Sequence, residues 1–96
     1  MKFVVFWAFC PENREKVLAK SKEWEKELKQ NPEKYGRIMR LQDGTGIGFG
    51  MIGKYKGFRL MEVDNEEQML NMVLFWTPLT KFTHVPIIQT GSAKRA

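Results

Sequence analysis

An α+β domain with the element order β-α-β-β-α-β is predicted by three features of this 96-residue chain. The opening stretch MKFVVFWAFC is apolar on both faces of an extended strand. A charged segment follows it with apolar residues at helical spacing. Near the C-terminus a second doubly apolar strand again leads into a helix. The length fits one domain, and an apolar content of 43% is enough for one core.

In residues 2–10, Phe3, Val5, Trp7 and Phe9 point one way, while Val4, Phe6, Ala8 and Cys10 point the other. A strand apolar on both faces is covered on both, which places it centrally in its sheet. Lys2, the apolar run and Cys10 caricature a lipoprotein signal. The run is too short, however, and bulky Phe9 stands where a small residue is needed. Pro11 then fits the first turn of a helix, where a missing N–H costs nothing.

The first helix is expected over 11–30, with Val17, Ser21, Trp24 and Leu28 at i, i+4, i+7 and i+11 and Leu18 beside them. Asn31-Pro32 breaks it, and Gly36 ends the short turn that follows. Residues 37–41 read as a short strand, Asp43-Gly44 as a hairpin turn, and the glycine-rich run 44–53 as its return arm. A third strand spans 58–63. Asp64 and Asn65 cap a helix over 65–76, with Glu67 or Gln68 completing a capping box.

That second helix is apolar in nearly every direction, interrupted only by Asn71. It must be buried on more than one side, against the sheet and against a partner subunit, the first helix or a ligand cavity. Pro78 stops it. Pro86 confines the last strand, 82–89, to an edge. The order is that of the ferredoxin-like plan, one domain over 1–90, and 91–96 is expected to be a frayed basic tail.

Gly48 to Gly53 spells G-x-G-x-x-G, but a dinucleotide loop needs a helix after its glycines, and a strand follows here. The period of two is the informative part. Thr45, Ile47, Phe49 and Met51 share one face, and Gly44, Gly46, Gly48 and Gly50 leave the other bare. A bare face admits a close neighbour or a ligand. Lys54, Lys56 and Arg59 around it either guard an exposed edge or hold an anion.

The net charge of +5 is concentrated there, since residues 11–35 carry seven basic residues against six Glu. A nucleic-acid partner is disfavoured, because the charge is modest and no RNP-like aromatic motif accompanies Tyr55 and Phe58. The only histidine, His84, shares a strand face with Phe82, Pro86 and Ile88. It excludes a multi-histidine metal site within one subunit, and it is either a packed strand residue or a proton acceptor for a substrate. Arg59 and Glu62, on an inner strand, need pairing or a cavity. The single Cys10 reads as buried and inert, and as consistent with a reducing cytoplasm. No stretch is long enough for a membrane span. Abundant Lys and Glu with scarce Gln give a thermophile-like composition.

The run GFRLMEVDNEEQMLNMVLFWTPLTKFTHVPII resembles the C-terminal half of a family of small bacterial and archaeal proteins of unknown function. In that family a G-F-x-x-x-E-x-D strand leads into a helix ending near Trp, then an F-x-x-x-P edge strand. MKFVVFWAFCPENREK resembles its opening strand and helix, so the likeness covers most of the chain outside 42–56. The family resembles the dimeric α+β barrel superfamily. That implies an antiparallel sheet with two helices on one face and a partner's sheet on the other. It also implies a sheet–helix cleft for a small hydrophobic or anionic molecule.

Within that expectation, His84 is the catalytic candidate, and Trp7, Tyr55, Lys56, Phe58, Arg59, Asn71 and Trp76 are ligand-binding candidates. No metal or cofactor is expected. A cofactor-independent oxygenase or isomerase and a non-catalytic metabolite-sensing or protein-interaction dimer are the competing readings. A fold shared by so many chemistries carries no mechanism with it.

Overall fold

The computed structural model describes residues 1–88 and 90. Strand β1 (Lys2–Ala8) is central, antiparallel to β4 (Lys56–Glu62) on one side and to β5 (Lys81–Ile87) on the other. Two short strands, β2 (Arg37–Ile38) and β3 (Gly48–Gly50), pair with the remaining edge of β4. Among the described residues this makes one five-stranded antiparallel sheet in the order β2-β4-β1-β5, with β3 beside β2 on β4. β1 is central, as its doubly apolar pattern requires, and Pro86 lies on an edge strand. Gln89 and the expected tail, 91–96, lie outside the described residues.

β2 and β3 are two parts of one edge strand. Arg37 pairs with Glu62 and Ile38 with Met61, and then Gly48, Phe49 and Gly50 pair with Arg59, Phe58 and Gly57. Leu60 bridges the join, accepting from Met39 N–H at 2.9 Å and donating to the Ile47 carbonyl at 3.0 Å. The residues between loop out as a small hairpin closed by an Arg40–Gly46 bridge. Gly44 turns it with φ of 89°, and the Asp43 carboxylate accepts from Thr45 N–H at 2.8 Å. The strand expected over 37–41 therefore stops at Ile38, where the chain leaves the sheet.

Helix α1 (Arg14–Gln30) follows a 3-10 turn at Pro11–Asn13. A single-turn helix, α2 (Pro32–Tyr35), leads to Gly36, whose φ of 79° suits glycine. Helix α3 (Glu66–Trp76) is capped by Asn65, whose side chain accepts from Gln68 N–H at 3.0 Å. Gln68 reaches back past the cap to Asp64 N–H at 2.7 Å, a displaced form of the expected box. Its amide also donates to the Glu33 carbonyl at 2.8 Å, which fastens α3 to α2.

The helices cover one face of the sheet. Phe3, Val5 and Met61 on that face form one buried cluster with Val17 and Trp24 of α1 and Met72 and Trp76 of α3. Trp24 is its hub, with ring centroids 4.8 Å from Tyr35, 5.2 Å from Phe75 and 5.9 Å from Trp76. The other face carries the alternate residues of the same strands. Phe6, Phe49 and Val85 there are 41%, 60% and 42% exposed. Cys10, expected to be buried, is exposed, because β1 ends at Ala8 and the chain turns outward.

The glycine repeat has a steric purpose on the covered face. Trp7 pairs with Gly57, which pairs in turn with Gly50. A Cβ on Gly57 would meet the Trp7 ring at 2.5 Å and collide with the Phe49 carbonyl, while one on Gly50 would reach the same indole at 4.0 Å. The indole thus lies across glycines. Gly57→Ala is expected to lower unfolding free energy by about 1–3 kcal/mol, the usual cost of overpacking, measured by urea denaturation.

Candidate functional site

Alternation along three neighbouring strands assembles the floor of a cavity. On the covered face Val5 is flanked by Arg59 of β4 and His84 of β5, and Trp7 by Gly57 and Phe82. Trp7 and Phe9 stack with planes 10° apart and centroids 6.0 Å apart, and both line the space. Val17, Leu18, Ser21 and Trp24 of α1 form the roof, and Trp76 and Thr80, at and after the end of α3, close one end. The space is a cleft open to solvent on one side, of about 380 Å³, within the range of small-molecule sites.

Among the described residues Arg59 is the only charged one that lines this cavity. Among the described residues no carboxylate lies within ion-pair distance of it. Its Nη2 donates to the Met72 sulfur at 3.5 Å, a weak acceptor. Its guanidinium carbon stands 5.6 Å from the Trp24 ring and 5.5 Å from the Phe82 ring, which offers partial cation–π compensation. Part of the side chain faces the cavity, yet Nε is shielded and without a partner. Burial pushes the guanidinium pKa down to about 10. It stays charged at neutral pH, at a cost to folding of roughly 3 kcal/mol.

Three more buried polar atoms lack partners: Trp76 Nε1, Thr80 Oγ1 and His84 Nε2. Buried polar atoms are nearly always satisfied, so their gathering around one cavity is the chief chemical signal of the structure. Trp76 and Thr80 line the space with Arg59. His84 stands behind it, its ring 6.2 Å from those of Phe82 and Phe3. Burial first, and then the Arg59 charge, hold its pKa below the ordinary 6.5.

Of the residues singled out in the sequence, Trp7, Arg59 and Trp76 come together in the cavity. Tyr55 is outside it, bracing the wall through its ring, 5.6 Å from Phe9, and its carbonyl, which accepts from Phe9 N–H. Lys56 and Phe58 pair with Ala8 and Phe6, which places both on the opposite face of the sheet. Asn71 turns away and donates to the Lys34 carbonyl at 3.0 Å, joining α3 to α2. Glu62, expected to need pairing, binds Arg37 at 2.9 Å across the strands. Metal-ligand clusters are absent among the described residues.

The sequence reading missed Phe9, Trp24, Phe82, Thr80 and the α1 roof as site residues. Two signals were visible. Ser21 is a polar residue in the middle of the apolar stripe of α1, and Phe82 shares its strand face with His84. Thr80 carried no signal.

Arg59→Met keeps a stem of similar length and removes the buried charge, so it is expected to raise unfolding free energy by about 1–3 kcal/mol. Chemical denaturation at pH 7 checks this. His84 favours its neutral form when folded, so the unfolded chain takes up more protons below pH 6.5. Stability is therefore expected to be complete above that value and to fall as the pH drops below it. His84→Gln is expected to flatten the decline between about pH 6.5 and 5 in thermal melts, before carboxylates begin to titrate.

Among the described residues no helix is long and apolar enough to cross a membrane. No curated protein matches the chain. Over residues 1–96 it matches the family described as a domain of unknown function (DUF3303), and the chain belongs to that family.

Proposed function

We propose that this protein is a homodimer of ferredoxin-like subunits, each binding a small, partly apolar anion between the sheet and α1. The observation that carries the reading is the Arg59 cation, without a carboxylate partner among the described residues, in an aromatic-lined cavity. A protein gains nothing in stability by burying such a charge, and a bound anion supplies the missing partner. The strand order, with β1 between β4 and β5 and both helix-bearing crossovers returning to one face, supports the ferredoxin-like plan. The open face supports the dimer. Phe6 lies 6.0 Å from Phe58, which lies 5.4 Å from Phe49, an aromatic row on a sheet side that no helix covers.

Of the two forms this reading can take, binding or sensing is better supported than oxygenase or isomerase chemistry. Among the described residues the cavity wall holds no carboxylate, thiol or imidazole. His84, the catalytic candidate, has its Nε2 shielded behind that wall.

Native mass spectrometry tests both parts. Wild-type protein is expected to be a dimer with a small-molecule adduct that denaturation releases and Arg59→Met lacks. An identical adduct on the Met variant overturns the role of Arg59. Phe6→Glu is expected to give a folded monomer, and a persisting dimer removes the open face from the interface.

A further inference from the structure

We infer that the ligand is an aromatic monocarboxylate, its carboxylate paired with the Arg59 guanidinium and its ring among the aromatic side chains that line the cavity. This rests on the binding reading above and extends it to the charge and shape of the ligand.

Charge is the first argument. Among the described residues the cavity wall carries one cation and no lysine. One negative charge balances it, whereas a phosphomonoester dianion would leave an unpaired charge in an apolar enclosure. A neutral molecule would leave the guanidinium as it stands.

Shape is the second. Trp7 and Phe9 are nearly parallel at 10°, and Trp24, Trp76 and Phe82 face the same space. An aromatic lining of this kind is matched by a flat ring through offset or edge contacts. A volume of about 380 Å³ accommodates one or two fused rings.

Calorimetric titration at pH 7.5 with 1-naphthoate, 1-naphthamide, 1-naphthyl phosphate and octanoate separates these terms. The naphthoate is expected to bind at least tenfold tighter than each of the other three. Arg59→Met is expected to lose at least tenfold, and Lys56→Ala, on the opposite face, to bind unchanged. Equal or tighter binding of the amide or the phosphate overturns the monocarboxylate assignment. Octanoate binding as tightly as naphthoate overturns the aromatic one. If none of the probes binds but native spectra keep an Arg59-dependent adduct, this inference fails and the broader binding reading stands. If the adduct is missing too, both fail.

Discussion

A desolvated guanidinium without a carboxylate is the constraint around which the covered face of this protein is arranged. Arg59 sits on β4, one strand from the central β1, where its neighbours across the sheet are Val5 and Gly48. Val5 is fully buried, so the side chain cannot lie down on the sheet beside a polar group. It rises between Trp24 and Phe82 instead, and the aromatic faces supply what attraction there is. The stability that this arrangement withholds has to come from elsewhere. Its source is the cluster of Trp24, Tyr35, Phe75 and Trp76, which ties α1, α2 and α3 together. Tyr35 strengthens that tie by donating to the Glu27 carboxylate at 2.9 Å.

The second constraint is steric, and it explains the most unusual part of the sequence. A tryptophan on the central strand needs room across its neighbour, and Gly57 provides it, with Gly50 beyond it in contact with the same indole. Glycine in a strand marks such close approach. Spelling alone suggested a nucleotide loop, yet the alternation of glycine with Ile47, Phe49 and Met51 already pointed to a strand with one bare side. What lay on that side was not legible, because it belongs to a residue more than forty positions away along the chain.

Legibility in the sequence followed the range of the physics. Strand identity, the central place of β1 and the cap at Asn65 rest on local periodicity and hydrogen bonding, and they were readable. Which residues meet in the cavity depends on register. Arg59 and Phe58 are adjacent in sequence and sit on opposite faces, since the side-chain period of a strand is two. Counting outward from Gly57 would have placed Lys56 and Phe58 together and away from Arg59. The roof was harder. The rotation of α1 about its axis decides that Ser21 and Trp24 face the sheet, and that rotation is set by Trp24 docking on Tyr35 and Phe75. Asn71 misled for a related reason: its partner is a backbone carbonyl on α2, an element only four residues long.

Both faces of the sheet are built from alternate residues of the same strands, which joins the two halves of the proposed function. Trp7 and Arg59 line the cavity, while Phe6 and Phe58, each one position before them in sequence, lie on the open face. Strand β4 therefore carries the Arg59 charge on one side and the Phe58 ring on the other, and β1 beside it carries Trp7 and Phe6 in the same way. Covering that surface with a second copy stabilises the strands by roughly 25 cal/mol for each Å² of apolar area removed from water. A few aromatic side chains buried in this way suffice to offset about 3 kcal/mol of desolvation at Arg59. Under the proposed function, dimerisation and tolerance of the unpaired cation are linked: association of the open face would add to the stability that the Trp24 cluster supplies.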